Sequence, residues 1–96
     1  PRPLNRVSTG KKITDNSVTL SDGISAYPTG ISYMTISGTH ATTHGFPEGF
    51  AGTLETHNVN VGGYVWQYYH VVNSINTYKR VFKSDNTWSS FTKVNV

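Results

Sequence analysis

The sequence predicts an all-β domain, a small antiparallel sheet or sandwich. Three observations carry this. Good helix formers are scarce, and Leu occurs only at positions 4, 20 and 54. Ser, Thr, Asn and Gly make up about four in ten residues, far above ordinary usage, as in a chain of short strands and turns. The apolar inventory is aromatic, with six Tyr, four Phe and two Trp in 96 residues. Each such ring can bury about 150–250 Å² and so replace the missing leucines.

Residues 1–12 hold two prolines and four basic groups, Arg2, Arg6, Lys11 and Lys12, with no apolar period. They read as a linker or extended arm, and the folded domain is expected over 13–96. The chain opens Pro-Arg-Pro-Leu, without Met, and reads as a fragment of a longer protein. Residues 17–20 are a candidate first strand, and Asp22-Gly23 signals a turn. Residues 31–36 are β-branched and aromatic, bounded by Gly30 and Gly38, and predict a strand. Residues 38–51 hold His40, His44, Pro47 and several Gly and Thr, all of which work against a helix. A long exposed loop is expected there.

Residues 52–57 predict a strand and 58–63 the turn after it. Residues 64–72 carry the strongest alternation. Tyr64, Trp66, Tyr68, His70 and Val72 share one face, and Val65, Gln67, Tyr69 and Val71 the other. Both faces are partly apolar, which predicts a central strand covered on two sides. Residues 73–76 read as a hairpin loop, 77–83 as the return strand, 84–86 as a turn and 90–94 as the last strand.

The formal charge of +3 sits in the arm. Beyond residue 12, Lys79, Arg80, Lys83 and Lys93 stand against Asp15, Asp22, Glu48, Glu55 and Asp85. A nucleic-acid binder keeps a basic face on its folded part, so no nucleic-acid partner is expected. Cysteine is absent, which removes disulfides and thiolate metal sites. No apolar run approaches the ~18–20 residues of a membrane span, and no membrane insertion is expected. A core this thin is often completed by self-association.

Several side chains invite chemistry. Trp88 is either a core anchor at the end of a hairpin or a sugar-stacking platform, and the need for aromatic core favours the anchor. Gln67 and Arg80 lie on neighbouring strands, as contacts to sugar hydroxyls or as a hydrogen-bonded pair across the sheet, the second being favoured. His40, His44, His57 and His70 raise a metal hypothesis. A spacing of four suits a metal only on a helix, and a loop is expected, so neither a metal site nor a cofactor is predicted. Glu48 and Glu55 are the carboxylates nearest the irregular segment. A glycosidase needs such a pair about 5–10 Å apart in a rigid cleft, which this spacing does not supply, and no enzyme is predicted. Binding residues favour loops on a rigid sheet. That argument places a shallow ligand site among Tyr27, Tyr33, His40, His44, Phe46 and Tyr64.

The order of the last third, Val65-Trp66-Gln67-Tyr68-Tyr69, then Tyr78-Lys79-Arg80-Val81-Phe82, then Thr87-Trp88-Ser89-Ser90-Phe91, resembles the pyocin-knob type of domain. Such domains end bacteriophage tail fibres and phage-tail-like bacteriocins. The likeness spans about residues 17–94, with Asp22-Gly23, Gly30-Ile31-Ser32-Tyr33 and Gly52-Thr53-Leu54-Glu55-Thr56 as its earlier pieces. Phe91 stands where the family often has Trp, and residues 38–51 match no part of its pattern. The resemblance implies a receptor-binding head of a tail fibre or baseplate protein, homotrimeric and carried on the virion. It further implies a partner on the host surface, a bacterial polysaccharide or teichoic-acid-type glycan, together with other tail or baseplate proteins. Aromatic faces with neutral hydrogen-bonding groups suit an uncharged sugar. The alternatives are a trimer-capping structural tip and a fragment of a polysaccharide-degrading tailspike.

Overall fold

A computed structural model describes residues 11–14 and 18–94. Six strands follow one another across one sheet in chain order. They are β1 (Lys11–Thr14), β2 (Gly30–Ile36), β3 (Gly52–Asn58), β4 (Val65–Val71), β5 (Thr77–Phe82) and β6 (Thr92–Lys93). β2 to β6 pair antiparallel, while β1 adds to β2 in parallel. The predicted β class therefore holds, as one sheet rather than a sandwich. No helix among the described residues is long and apolar enough to cross a membrane.

Alternation decides which side is covered. On β3 and β4 every second residue is buried, giving Leu54, Thr56 and Asn58, then Val65, Gln67, Tyr69 and Val71. Met34 and Ile36 of β2 and Phe82 of β5 continue this face, and Val18, Tyr27, Ala41 and Phe46 close over it from outside the sheet. The opposite face of β4 is half-exposed. The central strand is thus covered on one side, not on both as the sequence suggested.

The segment expected as a loop over 38–51 contains a short helix, α1 (Gly38–His44), followed by a 3-10 turn at Pro47–Gly49. Weak intrinsic propensity is overcome at both ends and along one face. The Ser37 hydroxyl accepts from the His40 N–H at 3.2 Å, a helix N-cap. Gly45, at φ 77°, turns the chain out of the helix and donates to the Ala41 carbonyl. Buried His40 and Ala41 press α1 onto the sheet, and packing is what sustains so short a helix.

Three further expectations change. Lys11 and Lys12, read as the end of a linker, belong to β1, and residues 1–10 of that linker lie outside the described residues. Residues 18–20 run as irregular chain against the core instead of forming a first strand, and residue 17 lies outside the described residues. The last strand shrinks to two residues, and Trp88 makes an isolated bridge to Phe82.

Candidate functional site

The uncovered side of the sheet gathers the polar and aromatic side chains of three strands. Register puts Tyr33, Glu55, Tyr68, Lys79 and Thr92 in one row across β2 to β6. The neighbouring rows hold Ile31, His57, Trp66 and Val81, and Thr35, Thr53, His70 and Thr77. Side chains directly opposite one another stand about 4.5–5.5 Å apart at Cβ, so each row acts as a contact line.

Glu55 organises this face. Its carboxylate accepts from His57 Nε2 at 2.6 Å and from His70 Nε2 at 2.9 Å. His70 Nδ1 lies 3.2 Å from the Thr77 hydroxyl, a second hydrogen bond that orients its ring. Partial burial pushes the Glu55 carboxyl up, but the bonds from His57 and His70 outweigh it and leave its pKa below the ordinary value. The imidazoles are locked beside rings. His57 stacks on Trp66 at 5.3 Å, and His70 on Tyr68 at 6.1 Å. Lys79 Nζ sits 5.8 Å from the Trp66 ring centre and 5.7 Å from that of Tyr68. At the β5 and β6 side the face deepens into a cavity of about 490 Å³, lined by residues that include Trp66, Lys79, Val81, Ser90 and Thr92.

The covered side holds a second polar row, Ser32, Thr56, Gln67 and Arg80, in one register line. Arg80 Nε donates to Gln67 Oε1 at 2.8 Å, and Gln67 Nε2 donates to Thr56 Oγ1 at 3.1 Å. Another guanidinium nitrogen donates to the Leu20 carbonyl at 2.8 Å. The guanidinium carbon lies 4.0 Å from the Trp88 ring centre and 4.8 Å from that of Phe91. Burial lowers the Arg80 pKa to about 10, so it stays charged at neutral pH. Trp88 is held in turn by its indole N–H, which donates to the Asp22 carbonyl at 2.6 Å. The favoured sequence interpretations hold here: Gln67 and Arg80 form a pair within the core, and Trp88 is packed against it.

The six residues expected to form the ligand site do not assemble. Tyr27 and Phe46 are core side chains, 4% and 2% exposed. Buried His40 donates through Nε2 to the Val18 carbonyl. His44 is exposed, its ring 4.3 Å from that of His40 and tilted 41° to it. These two residues do stand four apart on a helix, the spacing a metal requires. Among the described residues no group of three or more His, Cys, Asp or Glu could hold a metal ion. Tyr64 lies in the β3–β4 turn, whereas α1 precedes β3. An antiparallel neighbour therefore puts Tyr64 at the opposite end of the sheet from α1, about 20 Å away along a seven-residue strand. Tyr33 is the member that reaches the open face, opposite Glu55.

Sequence reasoning missed Glu55, His57, Trp66, Tyr68, His70 and Lys79 as a group. Their signal was available: three consecutive strands place polar or amphipathic residues at the same parity. Glu48 is occupied elsewhere, accepting from the Tyr78 hydroxyl at 2.6 Å and Asn76 Nδ2 at 2.8 Å.

Comparison with curated proteins gives no match, and comparison with solved structures gives none. One family model matches residues 11–93, which takes in all six strands and the helix. It describes a domain of phage origin, in agreement with the tail-particle side of the resemblance seen in the sequence, while the pyocin-knob type is not what it describes. The chain belongs to the family of the phage-like element PBSX protein XkdV 3rd domain.

Proposed function

We propose that this domain is the receptor-binding head of a phage tail or baseplate protein, and that the open face of its sheet takes a bacterial surface glycan. The observation that carries this is the half-exposed pair Trp66 and Tyr68, set among Glu55, His57, His70 and Lys79. Sugar rings offer apolar C–H faces to aromatic side chains and hydroxyls to polar ones, and this surface supplies both. It is built on strands, so it is formed before the ligand arrives. A shallow site of this kind binds weakly alone, and repetition on a trimeric particle supplies avidity.

The domain would act at the host surface by binding, without catalysis. Glu55 is committed to two imidazoles on the open face, and Glu48 bonds Tyr78, whose parity on β5 is that of the covered side. That arrangement does not favour the facing carboxylates of a glycosidase.

The test is retention of the protein on purified host cell walls and surface polysaccharide. A combined Trp66→Ala and Tyr68→Ala variant should lose retention and keep its melting temperature, while His44→Ala should keep both. Undiminished retention by the double variant would remove the open face from recognition.

A structural tip in a homotrimer is the second reading. Exposed Val59, Val61 and Tyr64 crowd the β3–β4 turn, which suits a surface buried between copies. Both readings allow a trimer, so two measurements together distinguish them: absent cell-wall retention, with unfolding of the monomer when Val61→Asp and Tyr64→Ser break the trimer, supports the tip.

A further inference from the structure

Among the described residues no acid lines the cavity at the β5–β6 side, and each is engaged elsewhere. Asp22 accepts from Thr19 N, Asp85 from Thr87, and Glu48 from Tyr78 and Asn76. On the open face Glu55 gives one oxygen to each of two imidazoles. It is two strands from Lys79, a distance of about 10 Å. Among the described residues the ion pairs join Glu55 to His57 and His70, and none reaches Lys79.

Lys79 is thus a cation held over two rings, 5.8 Å from Trp66 and 5.7 Å from Tyr68, rather than over a carboxylate. The cavity beside it has Trp66, Val81 and Val94 as its apolar lining and exposed Ser90 and Thr92 as hydroxyl groups. Its volume of about 490 Å³ falls within the ~300–1,000 Å³ of small-ligand sites. An apolar wall, a rim of hydroxyls and one unopposed ammonium suit a ring that carries a negative group.

We propose that this cavity takes an anionic sugar residue, its ring against Trp66 and its carboxylate or phosphate on the Lys79 ammonium. The proposal rests on the open face being the glycan surface, and it replaces the uncharged sugar expected from aromatic faces with neutral hydrogen-bonding groups. A net charge does not show where the charges are engaged. Among the described residues the acids are engaged elsewhere, while Lys79 lines the cavity with no carboxylate partner and buried Arg80 lies behind it.

The two tryptophans give the readout. Trp66 is on the open face and Trp88 is packed under Arg80, so their indole N–H signals report opposite sides of the sheet. Three probes are titrated into the ¹⁵N-labelled protein: tetragalacturonate, glucose 1-phosphate, and neutral maltotetraose. Either anionic probe should move the Trp66 signal and leave that of Trp88, with affinity falling as salt rises. Lys79→Gln should weaken that binding about tenfold, the loss of one charge-assisted hydrogen bond, and Lys79→Arg should largely restore it. The galacturonate and glucose-phosphate arms separate a carboxylate from a phosphate. Equal binding of maltotetraose, unaffected by Lys79→Gln, would overturn the anionic preference and leave the glycan surface standing. An unmoved Trp66 signal with both anionic probes overturns the proposal. Cell-wall retention then decides whether the glycan surface falls with it.

Discussion

The ring of Tyr69 lies across the backbone of Gly52, so near that a Cβ at position 52 would stand 2.7 Å from Tyr69 Cζ and 2.6 Å from the His70 carbonyl oxygen. The ring passes over the glycine to donate its hydroxyl to the Phe50 carbonyl at 2.6 Å. Burial raises its pKa to about 12, so the donor stays protonated throughout the neutral range.

Gly52→Ala should therefore destabilise. Replacing glycine ordinarily gains about 0.4–1 kcal/mol from the unfolded chain. Here one of the clashing atoms is backbone and cannot swing aside, and overpacking costs about 1–3 kcal/mol. The clash should win, lowering the urea midpoint. Tyr69→Phe removes the hydroxyl alone and should cost about 1 kcal/mol.

The two tryptophans should separate by role. Trp88→Ala removes the ring over Arg80 and the bond to the Asp22 carbonyl, and should cost about 3 kcal/mol in thermal or urea unfolding. Trp66→Ala, on the open face, should cost under about 1 kcal/mol while abolishing cell-wall retention.

Gln67 and Arg80 should be strongly coupled. Gln67→Leu takes the acceptor from a buried guanidinium and should cost about 3 kcal/mol. Adding Arg80→Met removes the stranded charge, so the double variant should lose less than the sum of the single changes. Urea midpoints of the four proteins measure the coupling, and strict additivity would contradict it.

Acid should weaken the fold partly through Glu55. Its folded-state pKa lies below the ordinary value of about 4.3, so the unfolded chain takes up the proton first as pH falls. The stabilisation is complete above that ordinary value and is lost as pH drops through the folded one. Unfolding midpoints followed from about pH 6 to pH 3 should fall less steeply in Glu55→Gln than in the native protein.

Phe46→Ala should unfold the domain by about 3–5 kcal/mol, since the ring is buried against Tyr69 at 5.4 Å. His44→Ala should be nearly silent in the same measurement.

Much of the sheet was legible because alternation is a direct signature of a half-buried strand, and 65–71 show it residue by residue. The Gln67–Arg80 pair followed from that register. The helix was illegible to propensity, which sums weak preferences over a window. Its stability comes from two single residues, Ser37 and Gly45, and from packing that no local count contains. The six residues grouped in the sequence are scattered in the fold for a related reason. Aromatic residues of the irregular segment looked available, but Phe46 was needed in the core. The aromatic face of β4 was taken as covered, although Glu55, His57 and Lys79 at matching parity on its neighbours mark it as open.

β1 runs parallel to β2, so the chain enters β1 at one end of the strands and leaves β6 at the other. Tension between the segment ahead of Lys11 and the segment beyond Lys93 then pulls the two edges of the sheet in opposite directions along the strands. The β1–β2 ladder is loaded in shear, and its bonds resist together. An antiparallel β1 would be entered from the other end, and the same tension would peel it open one bond at a time.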